Sequence, residues 1–109
     1  MAFVGKSLAD GQLAATKGTI YTTPSLTTAY VKWLSVHNTS GSTTETILVY
    51  VKRSGSSSRI IGRAVLLPNE HTRIISDGES IVLSAGDLIE AQTSNATTVD
   101  YVISGVEEA

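Results

Sequence analysis

Thr28-Ala29-Tyr30-Val31-Lys32-Trp33-Leu34-Ser35-Val36-His37-Asn38 and, after the cluster Thr39-Ser40-Gly41-Ser42, Thr44-Glu45-Thr46-Ile47-Leu48-Val49-Tyr50-Val51-Lys52-Arg53 are the two runs on which the fold turns. Both are dense in β-branched and aromatic residues, and the Ser/Thr/Gly cluster between them has turn chemistry. Leu34 and Val36 alternate with Trp33 and Ser35, as Ile47, Val49 and Val51 do with Leu48 and Tyr50. That period of two is a strand's. The pair is read as the two arms of a hairpin.

A strand with one wet side alternates apolar with polar residues. Here the second face carries Val31, Trp33, Leu48 and Tyr50 instead. Two explanations are open. The strands are buried on both sides within the monomer, under an N-terminal arm, or the second face is a subunit interface. Large aromatics and leucine clustered on an outer face favour the interface, with Trp33, the only tryptophan, as its anchor.

Outward from this pair the chain keeps the rhythm of strand and turn. Gly18 to Thr22 is a short strand stopped by Pro24, and Ser54-Gly55-Ser56-Ser57-Ser58 is a loop. Arg59 to Leu67 is a strand turned by Pro68-Asn69, and His71 to Ser76 is another, ending at the turn Asp77-Gly78-Glu79. Ser80 to Leu83 leads through Ser84-Ala85-Gly86-Asp87 into Leu88 to Thr93, and Thr98 to Val106 closes the domain with it as a last hairpin. Leu67-Pro68-Asn69-Glu70 and Leu83-Ser84-Ala85-Gly86-Asp87 echo one another, each placing a turn with an acidic residue after a leucine-ended strand. About eight short strands at this spacing predict an all-β fold, an antiparallel β-sandwich or jelly roll. Leu8 to Lys17, broken by Gly11, has no helical anchor and reads as extended. The expected organisation is therefore an N-terminal arm over residues 1–17 and a sandwich over residues 18–109.

The 109 residues suit one domain with a thin core. Charged residues make 17% of the chain, fewer than is usual, and Ser and Thr together make about a quarter. With no cysteine, disulfides, thiolate metal sites and cysteine nucleophiles are excluded. A small chain without disulfides commonly gains stability by oligomerising. No apolar run is long enough to span a bilayer as a helix, and the start, Met1-Ala2-Phe3-Val4-Gly5-Lys6, lacks a signal-peptide core. Synthesis in the cytoplasm, without export or a membrane partner, is the expectation. The net charge of -2 gives no reason to expect nucleic-acid binding.

Reactive constellations do not emerge. His37 and His71 have no second ligand at metal spacing, and no serine sits in a G-x-S-x-G elbow. Asp77-Gly78-Glu79 and Gly86-Asp87 lack the further acidic ligands of a calcium loop and are explained as turns. Asn38-Thr39-Ser40 and Asn95-Ala96-Thr97 match a glycosylation sequon, coincidental without secretion. No cofactor, metal or catalytic residue is expected, and the chain is not expected to be an enzyme. Arg59 and Arg63, four apart in an extended strand, point to one face; they are candidate contacts for an acidic partner, or else a solvated face or inter-subunit salt bridges.

Three patterns carry a family likeness: Val31-Lys32-Trp33-Leu34-Ser35-Val36-His37-Asn38 before a Ser/Thr/Gly turn, Leu83-Ser84-Ala85-Gly86-Asp87-Leu88-Ile89-Glu90-Ala91, and the ending Val99 to Glu108. Over Gly18 to Glu108 the chain resembles small β-sandwich virion proteins encoded among the head and tail genes of tailed bacteriophages. The resemblance implies a capsid decoration protein, head spike or tail-associated subunit, often a homotrimer, residing in the virion. Its partners would be itself and the phage major capsid protein or tail proteins. An N-terminal arm ordering on a neighbour suits such a setting. Cementing, in which many copies bury interface and hold the underlying subunits together, is the leading function. The alternative is a tail- or fibre-associated adaptor or a receptor- or carbohydrate-binding module, which calls for aromatics in loops. Tyr21, Tyr30 and Trp33 fall in predicted strands instead.

Overall fold

The computed structural model describes residues 3–76 and 78–109, and of residues 3, 4 and 6 the backbone only. Among them are nine strands and no helix: β1 (Phe3–Gln12), β2 (Gly18–Thr22), β3 (Thr28–Asn38), β4 (Glu45–Lys52), β5 (Ser58–Leu66), β6 (His71–Ile75), β7 (Ile81–Leu83), β8 (Leu88–Thr93) and β9 (Val99–Glu108). One sheet runs β1-β9-β3-β6, with β7 beside β6 on the same flank of β3; the other runs β2-β8-β4-β5. Every pairing is antiparallel. Each sheet interleaves strands from both ends of the chain, and β6 and β7 share the place of one strand. This is the wrapping of a jelly roll.

The eight predicted strands are present and a ninth, β1, lies where an arm was expected, whereas the predicted hairpins are not formed. β3 and β4 lie in different sheets, and so do β8 and β9. Among the described residues β4 and β5 are the only consecutive strands that pair with one another. A period of two says which side chains point inward but not which sheet a strand joins. The inward rows of both sheets meet in one core that includes Val31, Leu34, Ile47, Val49, Leu83, Ile89 and Ile103, all fully buried. Burying these rows supplies the drive for folding, about 2 kcal/mol for each large aliphatic side chain.

The segment expected to project as an arm is extended, but it is built into the sandwich. β1 pairs with β9 along its length, and Leu13 is buried in the core at 2% exposure. The Leu13 amide donates to the Val99 carbonyl, and the Ala14 carbonyl accepts from Thr93 N–H. Lys17 donates to Ser58 and sits 5.0 Å from the Tyr50 ring centre. Met1 and Ala2, and Asp77 of a predicted turn, lie outside the described residues.

The turns repeat one device. At Leu67–Glu70, Ser76–Glu79 and Ser84–Asp87 the first amide donates to the carboxylate three residues on, at 2.7, 2.9 and 2.9 Å. The acidic residue's own amide donates back to the first residue's carbonyl. Two of these three are the turns whose sequences echo one another. At Gly86 φ is +85°, a left-handed conformation that glycine adopts without strain.

Candidate functional site

The four residues predicted to form one interface do not meet. A β-bulge between Val31 and Trp33 adds one residue to β3 opposite β9 and reverses the phase of alternation. Val31 therefore points into the core, with 0% exposure, as Leu34 and Val36 do further along. The bulge closes over Gly105, where a Cβ would collide with the Tyr30 carbonyl oxygen. Trp33 is half-buried on the outer face of the β1-β9-β3-β6 sheet, with the Arg73 guanidinium 4.9 Å from its ring centre. Leu48 and Tyr50 are half-buried on the outer face of the other sheet, on the far side of the sandwich.

Arg59 and Arg63 are separated by the same kind of irregularity. Between Val49 and Tyr50 the register with β5 slips, so that Ile60 faces Tyr50 and Gly62 faces Val49. Arg63 then lies opposite the outward-facing Leu48, and Arg59 opposite the inward-facing Val51. Residues directly across an antiparallel pair share a face, so the two arginines emerge on opposite faces of the strand. Both are exposed.

What gathers instead is the β5 flank. Among the described residues β5 pairs only with β4, which leaves one side of its backbone an open edge. Its side chains include Ile60, Ile61 and Val65, and Leu67 follows; they are 61%, 37%, 50% and 56% exposed. These are four of the seven large exposed hydrophobics among the described residues, on one strand and its end. The outer part continues across the sheet into Leu48 and Tyr50, whose hydroxyl donates to Gln92 at 3.0 Å. The inner part borders an open seam between β5 and β6–β7. Two adjoining recesses of about 310 and 290 Å³ share Ile61 and Ile81 there, with Ile74 in one and Arg53 and Arg59 in the other.

Glu45, Asp87 and Asn38, three of the polar side chains that the fold buries, serve the loops. Glu45 has no exposure; its carboxylate accepts from Thr93 Oγ1 at 2.7 Å and from Asn95 N and Nδ2 at 2.8 and 2.7 Å. Burial pushes its carboxyl up, but those hydrogen bonds outweigh burial and hold it below the ordinary value. Asp87, 5% exposed, accepts from the amides of Ser54 and Ser84 and from Arg53, tying the β4–β5 loop to the β7–β8 turn. Burial again opposes ionisation, and the two amides and the guanidinium again prevail. Burial above all, and the bond from its hydroxyl to Glu107 at 2.6 Å, raise Tyr21 far above the ordinary phenol. Asn38 is fully buried, donating to the carbonyls of Thr43, Leu66 and Leu67, and so is no acceptor for a glycan.

The two histidines are brought together, which their spacing did not foretell. His37 and His71 face one another across β3 and β6 with ring centres 6.0 Å apart. No group of three metal-ligating side chains forms among the described residues. The apolar flank was missed in the sequence, although Arg59-Ile60-Ile61-Gly62-Arg63 carried a signal. Two adjacent isoleucines break a period of two, as a bulge does.

No protein family model matches the chain, and no curated protein does. Among solved structures it is similar to a chain of the Bacillus endospore appendages, a family of disulfide-linked pili. Identity is 15%, coverage 98% of this chain and 88% of that one, and the TM-score 0.54. A pentameric capsid protein from metagenomic phage sequences is more distant: 18% identity, 94% of this chain against 59% of that one, TM-score 0.43. At these identities the first likeness speaks to the fold alone, and the second adds no weight.

Proposed function

We propose that the chain is a structural subunit of a bacteriophage virion, a decoration protein that cements the capsid surface as an oligomer and carries out no catalysis. The observation that carries this reading is the β5 flank: an open strand edge lined by Ile60, Ile61, Val65 and Leu67. A monomer rarely leaves such an edge bare, because it recruits other strands and apolar surfaces. The ionisable groups whose carboxyls are most strongly held, Glu45 and Asp87, are consumed in pinning loops. The motifs quoted above, with their likeness to phage head and tail sandwich proteins, supply the setting. A density map of particles released from cells that encode the chain, with mass spectrometry of the same particles, is the test. Repeated copies on the capsid surface are expected. Absence of the chain from purified particles contradicts the reading, and copies confined to the tail replace cementing with an adaptor role.

A further inference from the structure

We infer that His37 and His71 form a two-histidine site for a divalent metal ion of the zinc, nickel or copper kind. It lies on the outer face of the β1-β9-β3-β6 sheet and clamps β6 to β3. The inference is independent of the assembly reading above.

Strand register makes the site. His37 near the end of β3 and His71 at the start of β6 stand directly opposite one another. Residues so placed in an antiparallel pair share a face, with Cβ atoms about 5 Å apart. Val36 and Asn38, on either side of His37, are buried, so His37 points outward, and both histidines are exposed. Their ring centres are 6.0 Å apart, with 14° between the ring planes. Zinc binds about 2.1 Å from an imidazole nitrogen, hence roughly 3.2 Å from the ring centre. Tetrahedral coordination by two rings then sets their centres roughly 5.2 Å apart, within about 1 Å of the distance found. In near-parallel rings the nitrogens do not yet converge. Rotation about χ2, a broad torsion in histidine, turns one nitrogen of each ring towards a common point. Because both rings are exposed, that rotation displaces no core packing.

The surroundings fit a cation. Asp100 on β9 stands opposite His37 on its other side, and so on the same face. It accepts from Gln12 Nε2 at 3.2 Å and adds negative charge beside the pair. Arg73, two residues along β6, is the opposing charge, but its guanidinium lies over the Trp33 ring, 4.9 Å from the centre. Glu70, next to His71, is turned back to the Leu67 amide. No third metal-ligating side chain joins the histidines among the described residues, so water completes the ion's shell. An open recess of about 320 Å³ lined by His71, Thr72 and Arg73 adjoins the pair. Imidazole nitrogen selects zinc, nickel and copper, whereas calcium and magnesium take oxygen ligands. β6 has five residues and, among the described residues, pairs with β3 alone. An ion held across the two strands needs the folded register, so its binding stabilises the fold.

The test is calorimetric titration of zinc chloride into the full chain and into His37→Ala and His71→Ala. Imidazole NMR signals are followed in parallel, and the chain has only these two histidines. One ion per chain is expected, with both imidazole spectra changing together. Each substitution is expected to weaken binding by about tenfold or more, since losing even an outer-shell partner of a metal ligand costs that much. Zinc should raise the unfolding midpoint of the wild type and of neither variant. Equal midpoints without zinc show that the variants fold. A wild type that takes up no ion at millimolar zinc overturns the inference. So does unchanged affinity in either variant, because the ion then sits elsewhere or on a single imidazole.

Discussion

Where β3 and β5 end and β4 begins, Asn38 and Glu45 are wholly enclosed, and each is held by three or more hydrogen bonds. Along β5 itself, Ile60 and Val65 are half or more exposed and Arg59 and Arg63 have no ion pair among the described residues. One region spends polar side chains on fixing its own loops. The other leaves apolar and basic side chains exposed. A buried carboxylate costs several kcal/mol unless it is bonded, so the loop end must satisfy itself within the monomer. An exposed isoleucine on a strand edge costs the monomer little and favours whatever buries it. The ends hold the buried polar network, and the flank holds exposed apolar and basic side chains.

The largest expected break lies in the scaffold both regions share. Gly105→Ala puts a Cβ against the Tyr30 carbonyl at the β3 bulge and is expected to cost about 4 kcal/mol, read by urea unfolding. Next is Leu13→Ala, at about 3 kcal/mol, because the side chain is fully enclosed in the shared core. A loss below about 1 kcal/mol there would return residues 1–17 to the status of a loose arm.

Glu45→Gln is expected to cost about 2 kcal/mol, since a neutral amide cannot accept from three donors as the carboxylate does. The acid limb sharpens the same point. Glu45 and Asp87 titrate below their ordinary range when folded, so their contribution is complete above the unfolded value of about 4. It is lost as pH falls through the folded values. Unfolding free energy should therefore decline below about pH 4.5, and decline less steeply in Glu45→Gln. An unchanged slope would mean that the carboxylate is not held by its partners.

Much of the fold was legible in the sequence because β-branched runs and turn residues act locally. The strands at 18–22, 28–38 and 88–93 follow from their own side chains. Their pairing does not, because each crossing between sheets is decided by the whole wrap. β1 escaped notice since Gly5, Ser7, Ala9 and Gly11 show no apolar period; their smallness suits an edge rather than a core. The candidate site was legible in its residue types and not in its geometry. One bulge carried Val31 inward and another split Arg59 from Arg63, since a single inserted residue reverses every later side chain. Glu45 looks like any surface glutamate, and its burial is made by loops distant in sequence.

The smallest expected effect on stability is also the most direct test of the flank. Ile60→Ser/Val65→Ser removes two exposed apolar side chains and should change unfolding free energy by no more than about 0.5 kcal/mol. Sedimentation equilibrium of this variant beside the wild type isolates the claim that β5 is an assembly surface. A wild-type oligomer and a variant shifted to monomer are expected, with equal unfolding midpoints at concentrations low enough that both are monomeric. A variant that assembles as tightly as the wild type would contradict that claim.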